Sequence, residues 1–421
     1  MKKIYLFLLM LPLCCVAQKT KEGKQMPPPG KSHINFSNAI GWEGKTPVAP
    51  PGFKVTKYAD DFQSPRWLYV LPNGDLLVAE TNAKYPIAVQ AGAVISGAAK
   101  ANNIKRSPNK ITLLRDSNKD GVAELRTTFL EDGLNQHLGM LVIGKWFYVA
   151  NTDALVRYPY EAGQTSISGK PEKILELPTT GINLHWGKNI IANADESKIY
   201  IAVGSASNIA NQGIEKELLR ANILEINPDG SAMRVYASGL RNPMGMDWAP
   251  ETKTLYTVVV ERDFLGDELV PDYFTSVKEN GFYGWPWVYF GTHIDDRVKE
   301  PPHEIIEKSL TPDVDMGAHT TCMGLSFYDA DAFPEKYRKG AFITQHGSYN
   351  RKELAGFKVV YVPFQNGKPS GPPEDFLTGF VVDPTKDEVY GRPLGIILMA
   401  DGSLMVSDDK SNVLWRISYD K

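Results

Sequence analysis

One short phrase recurs six times along this chain of 421 residues, and that recurrence limits the fold more than any other feature. Each copy leads into a short strand, crosses a polar turn and continues as a second apolar strand. The copies pair Pro65-Arg66-Trp67-Leu68 with Leu76-Leu77-Val78-Ala79-Glu80, and His137-Leu138-Gly139-Met140 with Trp146-Phe147-Tyr148-Val149-Ala150. His185-Trp186-Gly187 goes with Ile199-Tyr200-Ile201-Ala202-Val203, and Asn242-Pro243-Met244-Gly245 with Leu255-Tyr256-Thr257-Val258-Val259. Met323-Gly324-Leu325 goes with Ala341-Phe342-Ile343-Thr344-Gln345, and Arg392-Pro393-Leu394-Gly395 with Leu404-Met405-Val406-Ser407-Asp408. Successive copies start roughly 50 to 80 residues apart, which leaves room for two further strands and loops in each unit.

Leu76 and Val78 set against Leu77 and Ala79 make a strand apolar on both faces, as burial between neighbouring sheets requires. The expected fold is all-β: a six-bladed β-propeller of four-stranded antiparallel blades over residues 46–421. Phe53–Tyr58 is strand-like and precedes the first copy, and Val413–Tyr419 ends the chain. The N-terminal strand is therefore predicted to join the last blade as its outer strand. A row of separate β-sandwiches would not need six copies of one phrase.

Residues 1–17 read as an export signal: Lys2 and Lys3, an apolar run from Ile4 to Leu13, then the small residues Cys15-Val16-Ala17. This places the protein in the periplasm or outside the cell, with cleavage before Gln18. An uncleaved anchor is the alternative, and a lipid-modified Cys14 or Cys15 is disfavoured by the neighbouring Pro12 and Leu13. Residues 18–45, with Pro27-Pro28-Pro29-Gly30 and few apolar groups, read as a flexible linker. Of three cysteines only Cys322 follows the signal, which excludes an internal disulfide and any cysteine-based zinc or heme site. A formal charge of −3 offers nothing to neutralise phosphates, so a nucleic-acid partner is excluded. No hydrophobic run beyond the signal is long enough to span a membrane.

Propeller sites sit at one mouth of the central channel, so the residues that lead into each phrase come first. His137, His185 and the pair Arg241-Asn242 stand out there. A histidine aimed into a channel suits a general base, and it equally suits a hydrogen-bonded structural role. Arg241 serves as a fixed cation or as a salt bridge between blades. Asp116-Ser117-Asn118-Lys119-Asp120-Gly121 with Glu124 resembles the start of a calcium loop, but Thr127 at the twelfth place cannot supply the bidentate carboxylate. It reads equally as a polar hairpin turn.

The block Gly181-Ile182-Asn183-Leu184-His185-Trp186-Gly187-Lys188-Asn189 is followed by Gly204-Ser205-Ala206-Ser207-Asn208 and Gly239-Leu240-Arg241-Asn242-Pro243-Met244-Gly245. Next come Glu261-Arg262-Asp263-Phe264-Leu265-Gly266-Asp267 and Gly281-Phe282-Tyr283-Gly284-Trp285-Pro286. In this order and spacing the chain, from about Pro50 onward, resembles the sorbosone dehydrogenase family, relatives of soluble quinoprotein glucose and aldose-sugar dehydrogenases. The resemblance implies oxidation of an aldose or sugar-derived aldehyde by hydride transfer to pyrroloquinoline quinone. His185 then matches the base, and Arg241 and Asn242 the pair beside the quinone oxygen. Arg392, Arg351, His319 and Thr320 match further cofactor contacts, and the backbone carbonyls of Arg262 and Asp263 match calcium ligands. An unidentified electron acceptor is implied as a partner. Two other functions remain open: a calcium-dependent lactonase gripping its ion with Glu80, Asn151 and Asp153, and a secreted binding scaffold without catalysis.

Overall fold

The structure, a computed structural model, describes residues 25–84, 87–101, 103, 106–179, 183–299 and 303–420. The expected export signal lies outside the described residues. Each phrase supplies the first two strands of a four-stranded antiparallel arrangement. Sheet 1 runs Pro65–Val70, Leu76–Glu80, Lys110–Arg115, Leu125–Leu130, and sheet 2 runs Met140–Ile143, Trp146–Ala150, Ala154–Pro159, Glu172–Glu176. Sheet 3 runs Lys188–Ala192, Ile199–Val203, Asn222–Ile226, Arg234–Ser238, with Gly281–Phe282 added in parallel. Sheet 4 holds Pro243–Trp248, Leu255–Val259, Pro271–Ser276 and Val314–Ala318; sheet 5 holds Cys322–Phe327, Ala341–Gln345, Lys358–Val362 and Glu374–Leu377. Sheet 6 takes Pro393–Leu398, Leu404–Asp408 and Val413–Tyr419, and its outer strand is Phe53–Ala59, as the sequence predicts.

The second strands of sheets 1, 3, 4, 5 and 6 are buried at every position, on both faces. First strands touch the first strands of both neighbouring sheets, in the succession 1–2–3–4–5–6–1. The glycine of the phrase makes this approach feasible. A Cβ at Gly139, Gly245, Gly324 or Gly395 would lie 2.5–2.6 Å from a backbone atom of the next sheet's first strand. No side chain fits there. The pairing slips at Pro65, Pro243, Cys322 and Pro393, just where the first strand begins, and such bulges re-aim the preceding residues toward the axis.

The reading of residues 18–45 as a flexible linker needs correction for its described part. Gly30 donates to the Leu265 carbonyl (2.8 Å), Asn35 to that of Tyr349 (2.8 Å), and Asn38–Ala39 pairs in parallel with Glu388–Val389. Trp42 is buried against Phe380, Tyr390 and Trp415, and its indole donates to Asp408 at 2.8 Å. Few but well-spaced anchoring groups hold this segment; mean composition hides them.

Asp116, Asp120 and Glu124 cap a hairpin between Lys110–Arg115 and Leu125–Leu130. Their oxygens accept backbone N–H groups of Asp120, Gly121, Val122 and Ser117, as a polar turn would, and lie within 4.8 Å of one another, so the turn and the cation readings both stand. Cys322 is a fully buried free thiol.

Candidate active site

A cavity of about 350 Å³ opens where the segments preceding the first strands converge. Its wall brings together His185, Arg241, Asn242, Asp263, His319 and Arg392 from the residues the sequence singles out. Gly204, which follows the second strand of sheet 3, explains how the first three meet. A Cβ on it would lie 2.5 Å from the His185 Cβ and 2.3 Å from the Asn242 Oδ1, so both side chains lean on its bare Cα. The next residue, Ser205, ties the same unit together: its N–H donates to the Arg241 carbonyl at 2.7 Å.

His185 Nδ1 lies 2.8 Å from the Ser205 carbonyl and 3.0 Å from its hydroxyl, whose own proton goes to the Ser207 carbonyl (2.7 Å). A carbonyl only accepts, so Nδ1 carries the proton and Nε2 is left with its lone pair. Burial, and then the cations Arg241, Lys188 and Arg220, push the ring's pKa well below its ordinary value. The imidazole is neutral at neutral pH and able to take a proton. Lys188 stands behind it, fully buried, donating to the carbonyls of His185 (2.9 Å) and Trp186 (3.3 Å). Desolvation lowers that ammonium to about 7.

Arg241 is held by the Asn208 carbonyl (3.1 Å) and side chain (2.9 Å), the Val260 carbonyl (3.2 Å) and the Asp263 carboxylate (3.2 Å). Asn208 also receives the Asp263 N–H (2.9 Å) and, on its carbonyl, the Trp285 indole (2.9 Å). It is the organiser of this wall. Its place in the block after Val203 was visible in the sequence; its role was not. Two side-chain oxygens here are buried without a partner, Asn242 Oδ1 and Glu261 Oε1. Beside them Asp272, pushed up to about 7 by burial despite donors from Glu261, Thr321, Thr320 and Cys322, also lines the cavity.

The opposite wall is built from Arg66, His346, Arg392 and Asp409. Asp409 accepts from Arg66 at 2.5 Å and from His346 Nε2 at 2.8 Å. Arg392 donates to the carbonyls of His346, Ala101 and Gly347 at 3.0, 3.1 and 2.8 Å. Arg66 also stacks over the Trp186 ring at 5.3 Å, and its Nε is buried without a partner.

Three sequence assignments need correction: Thr320, Arg351 and the Asp263 carbonyl. The Thr320 hydroxyl bonds the Asp272 carboxylate (3.2 Å) and the Met316 carbonyl and does not itself line the cavity, whereas Thr321 does. His319 and Thr321, both with left-handed backbones (φ 63° and 57°), line the cavity, and Thr320 between them does not. Arg351 pairs with Glu268 (2.8 Å) and the Ala318 carbonyl, off the cavity. The Arg262 side chain is fully buried in a structural network with Glu261, Asp295 and the carbonyls of Pro286 and Val288, which leaves the expected role of its backbone carbonyl untouched. The Asp263 carbonyl accepts the Arg297 guanidinium (2.7 Å) and the Asn208 amide (3.1 Å), so it does not fit as a ligand for a second cation.

The proposed lactonase triplet is not assembled. Glu80 is spent on Thr112, Gln63 and Lys110 inside sheet 1; Asn151 and Asp153 bond Asn135 in a turn, and none of the three lines the cavity. His137 is fully buried, and desolvation lowers it to about 3, a core histidine off the cavity wall.

Among solved structures, the chain is similar to a Trichoderma reesei protein of Carbohydrate-Active Enzymes Family AA12 (TM-score 0.73, 16% identical, covering 92% of this chain and 100% of that one). It is also similar to the holo pyranose dehydrogenase PQQ domain of Coprinopsis cinerea (0.69, 18%, 92% and 100%) and the PQQ-bound aldose sugar dehydrogenase of Streptomyces coelicolor (0.59, 16%, 89% and 100%). At these identities the likeness is one of fold. A curated relative, an uncharacterized protein of Borreliella burgdorferi, is 30% identical over 251 residues, 58% of this chain; the match spans 63% of that relative's length. Residues 302–420 match the TrAA12-like family. Residues 62–359, more than half the chain, match the family described as Glucose / Sorbosone dehydrogenase, and the protein belongs to that family.

Proposed function

We propose that this protein is an exported quinoprotein dehydrogenase that oxidises an aldose or a sugar-derived aldehyde, built as a closed six-bladed propeller. The unbroken succession of first-strand contacts supports the closure. The observation that carries the function is the unit around Gly204, where a neutral imidazole with a free Nε2 stands beside a fixed guanidinium and an amide with an unspent oxygen.

When bound, pyrroloquinoline quinone would supply the two-electron acceptor for the substrate's C–H bond. The cavity suits such a flat, carboxylate-bearing group. Its volume lies within the ordinary ligand range, three guanidinium groups border it, and Arg66 Nε and Asn242 Oδ1 are buried without partners. Arg241, Asn242 and Arg392 would hold it, with His319 alongside. The expected calcium ligands do not fit at Asp263, and no step is assigned to that ion.

His185 Nε2 receives the substrate's hydroxyl proton as its C–H bond breaks. Arg241, preset by Asn208, Val260 and Asp263, offsets negative charge developing in the cavity without reorganising. The leader read at residues 1–17 supports a periplasmic or secreted location.

The test is reconstitution of the full chain with the quinone and calcium, assayed on aldoses and aldehydes with an artificial electron acceptor. Turnover should require the quinone, and His185→Ala should lower kcat by about 10²–10⁴-fold while the quinone absorbance still shifts on binding. Hydrolysis of lactones without quinone, or full turnover in His185→Ala, contradicts the proposal.

A further inference from the structure

The N-terminal segment does more than rest on the fold. Residues 30–39 cross three separate parts of the molecule. Gly30 and Lys31 bond the backbone of Leu265 and Asp267, and the Ser32 hydroxyl accepts from the Gly266 N–H at 2.9 Å. His33 meets Asp267 through its backbone N–H (3.0 Å) and its ring (2.7 Å). Asn35 reaches Tyr349, the Lys352 carbonyl and Asp387, and Asn38–Ala39 joins the strand at Glu388–Val389. Between these anchors Phe36 is set on the wall of the cavity.

Phe36 does not stand there alone. Its ring lies parallel to that of Tyr349, 6° between planes and 5.9 Å between centroids, and Tyr349 lines the same cavity. The Tyr349 hydroxyl donates to the Asp263 carboxylate (3.4 Å), the group that also receives Arg241 and the Asn350 amide. An apolar ring face thus borders a cavity beside a polar cluster of Asp263, Arg241 and Asn350. A pyranose presents this mixture in reverse: a C–H face for an aromatic ring and hydroxyls for amides and carboxylates.

We propose that Phe36 is a specificity-determining residue, forming with Tyr349 the aromatic wall on which the sugar ring of the substrate rests. This deepens the dehydrogenase reading and rests on it. One half of the wall, Phe36, is contributed by the segment that precedes the first sheet, so the substrate pocket is incomplete without residues 30–39.

The experiment uses the full-length chain with quinone and calcium, in wild type, Phe36→Ala and Phe36→Trp. In Phe36→Ala, KM for D-glucose should rise about five- to tenfold with kcat within about twofold, and Phe36→Trp should restore it. D-glucose binding is read separately by saturation-transfer NMR, where the C–H proton signals should fall in Phe36→Ala. An unchanged KM, or a loss confined to kcat, overturns the inference while leaving the dehydrogenase intact. Glucose binding that depends on Phe36 in a protein without turnover supports the wall and contradicts the dehydrogenase. Neither binding nor turnover of any aldose in wild type overturns both.

Discussion

The two walls of the cavity are built on opposite principles. Where sheets 3 and 4 meet, the polar groups hold one another by some of their atoms and keep others unspent: His185 Nε2, Asn242 Oδ1 and Glu261 Oε1. Where sheets 6 and 1 meet, the charges are largely committed to each other, with Asp409 shared by Arg66 and His346 and Arg392 gripped by three carbonyls. Proton transfer needs an unspent lone pair; a rigid binding wall needs its cations fixed in place beforehand. The contrast teaches that buried charge alone does not mark catalysis. Arg262 makes the same point: its guanidinium is fully enclosed beside Glu261 and Asp295, held by the fold and off the cavity wall.

If the committed wall is a structural unit, removing one member should cost stability more than chemistry. Asp409→Ala leaves Arg66 and His346 facing each other in a buried place, and about 3–5 kcal/mol of stability should be lost in a denaturant titration. Burial opposes ionisation of Asp409, but His346 and Arg66 hold its carboxyl below its ordinary value of 3.8. A group depressed in the folded state stabilises above its unfolded pKa, so this contribution is present at neutral pH and lost as pH falls below about 4. A stability loss under about 1 kcal/mol would mean that the network is slack. On the other wall the smaller perturbation is Gly204→Ala. Its methyl would collide with the His185 Cβ and Asn242 Oδ1, so about 1–3 kcal/mol of stability should go, together with activity. Unchanged turnover would show that the two side chains need not be held at this spacing.

The sequence made the reactive wall legible because both of its halves lead into copies of one phrase. His185 and Arg241-Asn242 occupy equivalent places in successive units, and a shared geometry follows from the repeat. Arg392 was legible for the same reason. What failed was whatever lies off the phrase. Arg351 sits in the irregular loop after the second strand of sheet 5, where spacing carries no geometry. Thr320 and Thr321 are adjacent and alike in type, and the left-handed backbone at His319 and Thr321 is a local feature the sequence does not announce. The fold was nearly all readable, down to the outer strand of sheet 6, yet residues 30–45 were not. Proline, glycine and polar residues dominate there, and the signal that could have found the segment is the isolated Phe36 and Trp42.

The account stands most directly on the neutral imidazole at 185, and the pH profile of kcat/KM reads it. Burial and Arg241 lower the His185 pKa from 6.5, so the proton-accepting form persists below that pH and an acid limb should be centred beneath it. Asp272, at about 7 on the same wall, ionises separately and accounts for any limb near neutrality. A lower limb under pH 6.5, with no such limb in the residual activity of His185→Ala, is the expected result. A lower limb centred at or above pH 6.5 and lost in His185→Ala, or one under pH 6.5 that survives His185→Ala, would contradict it.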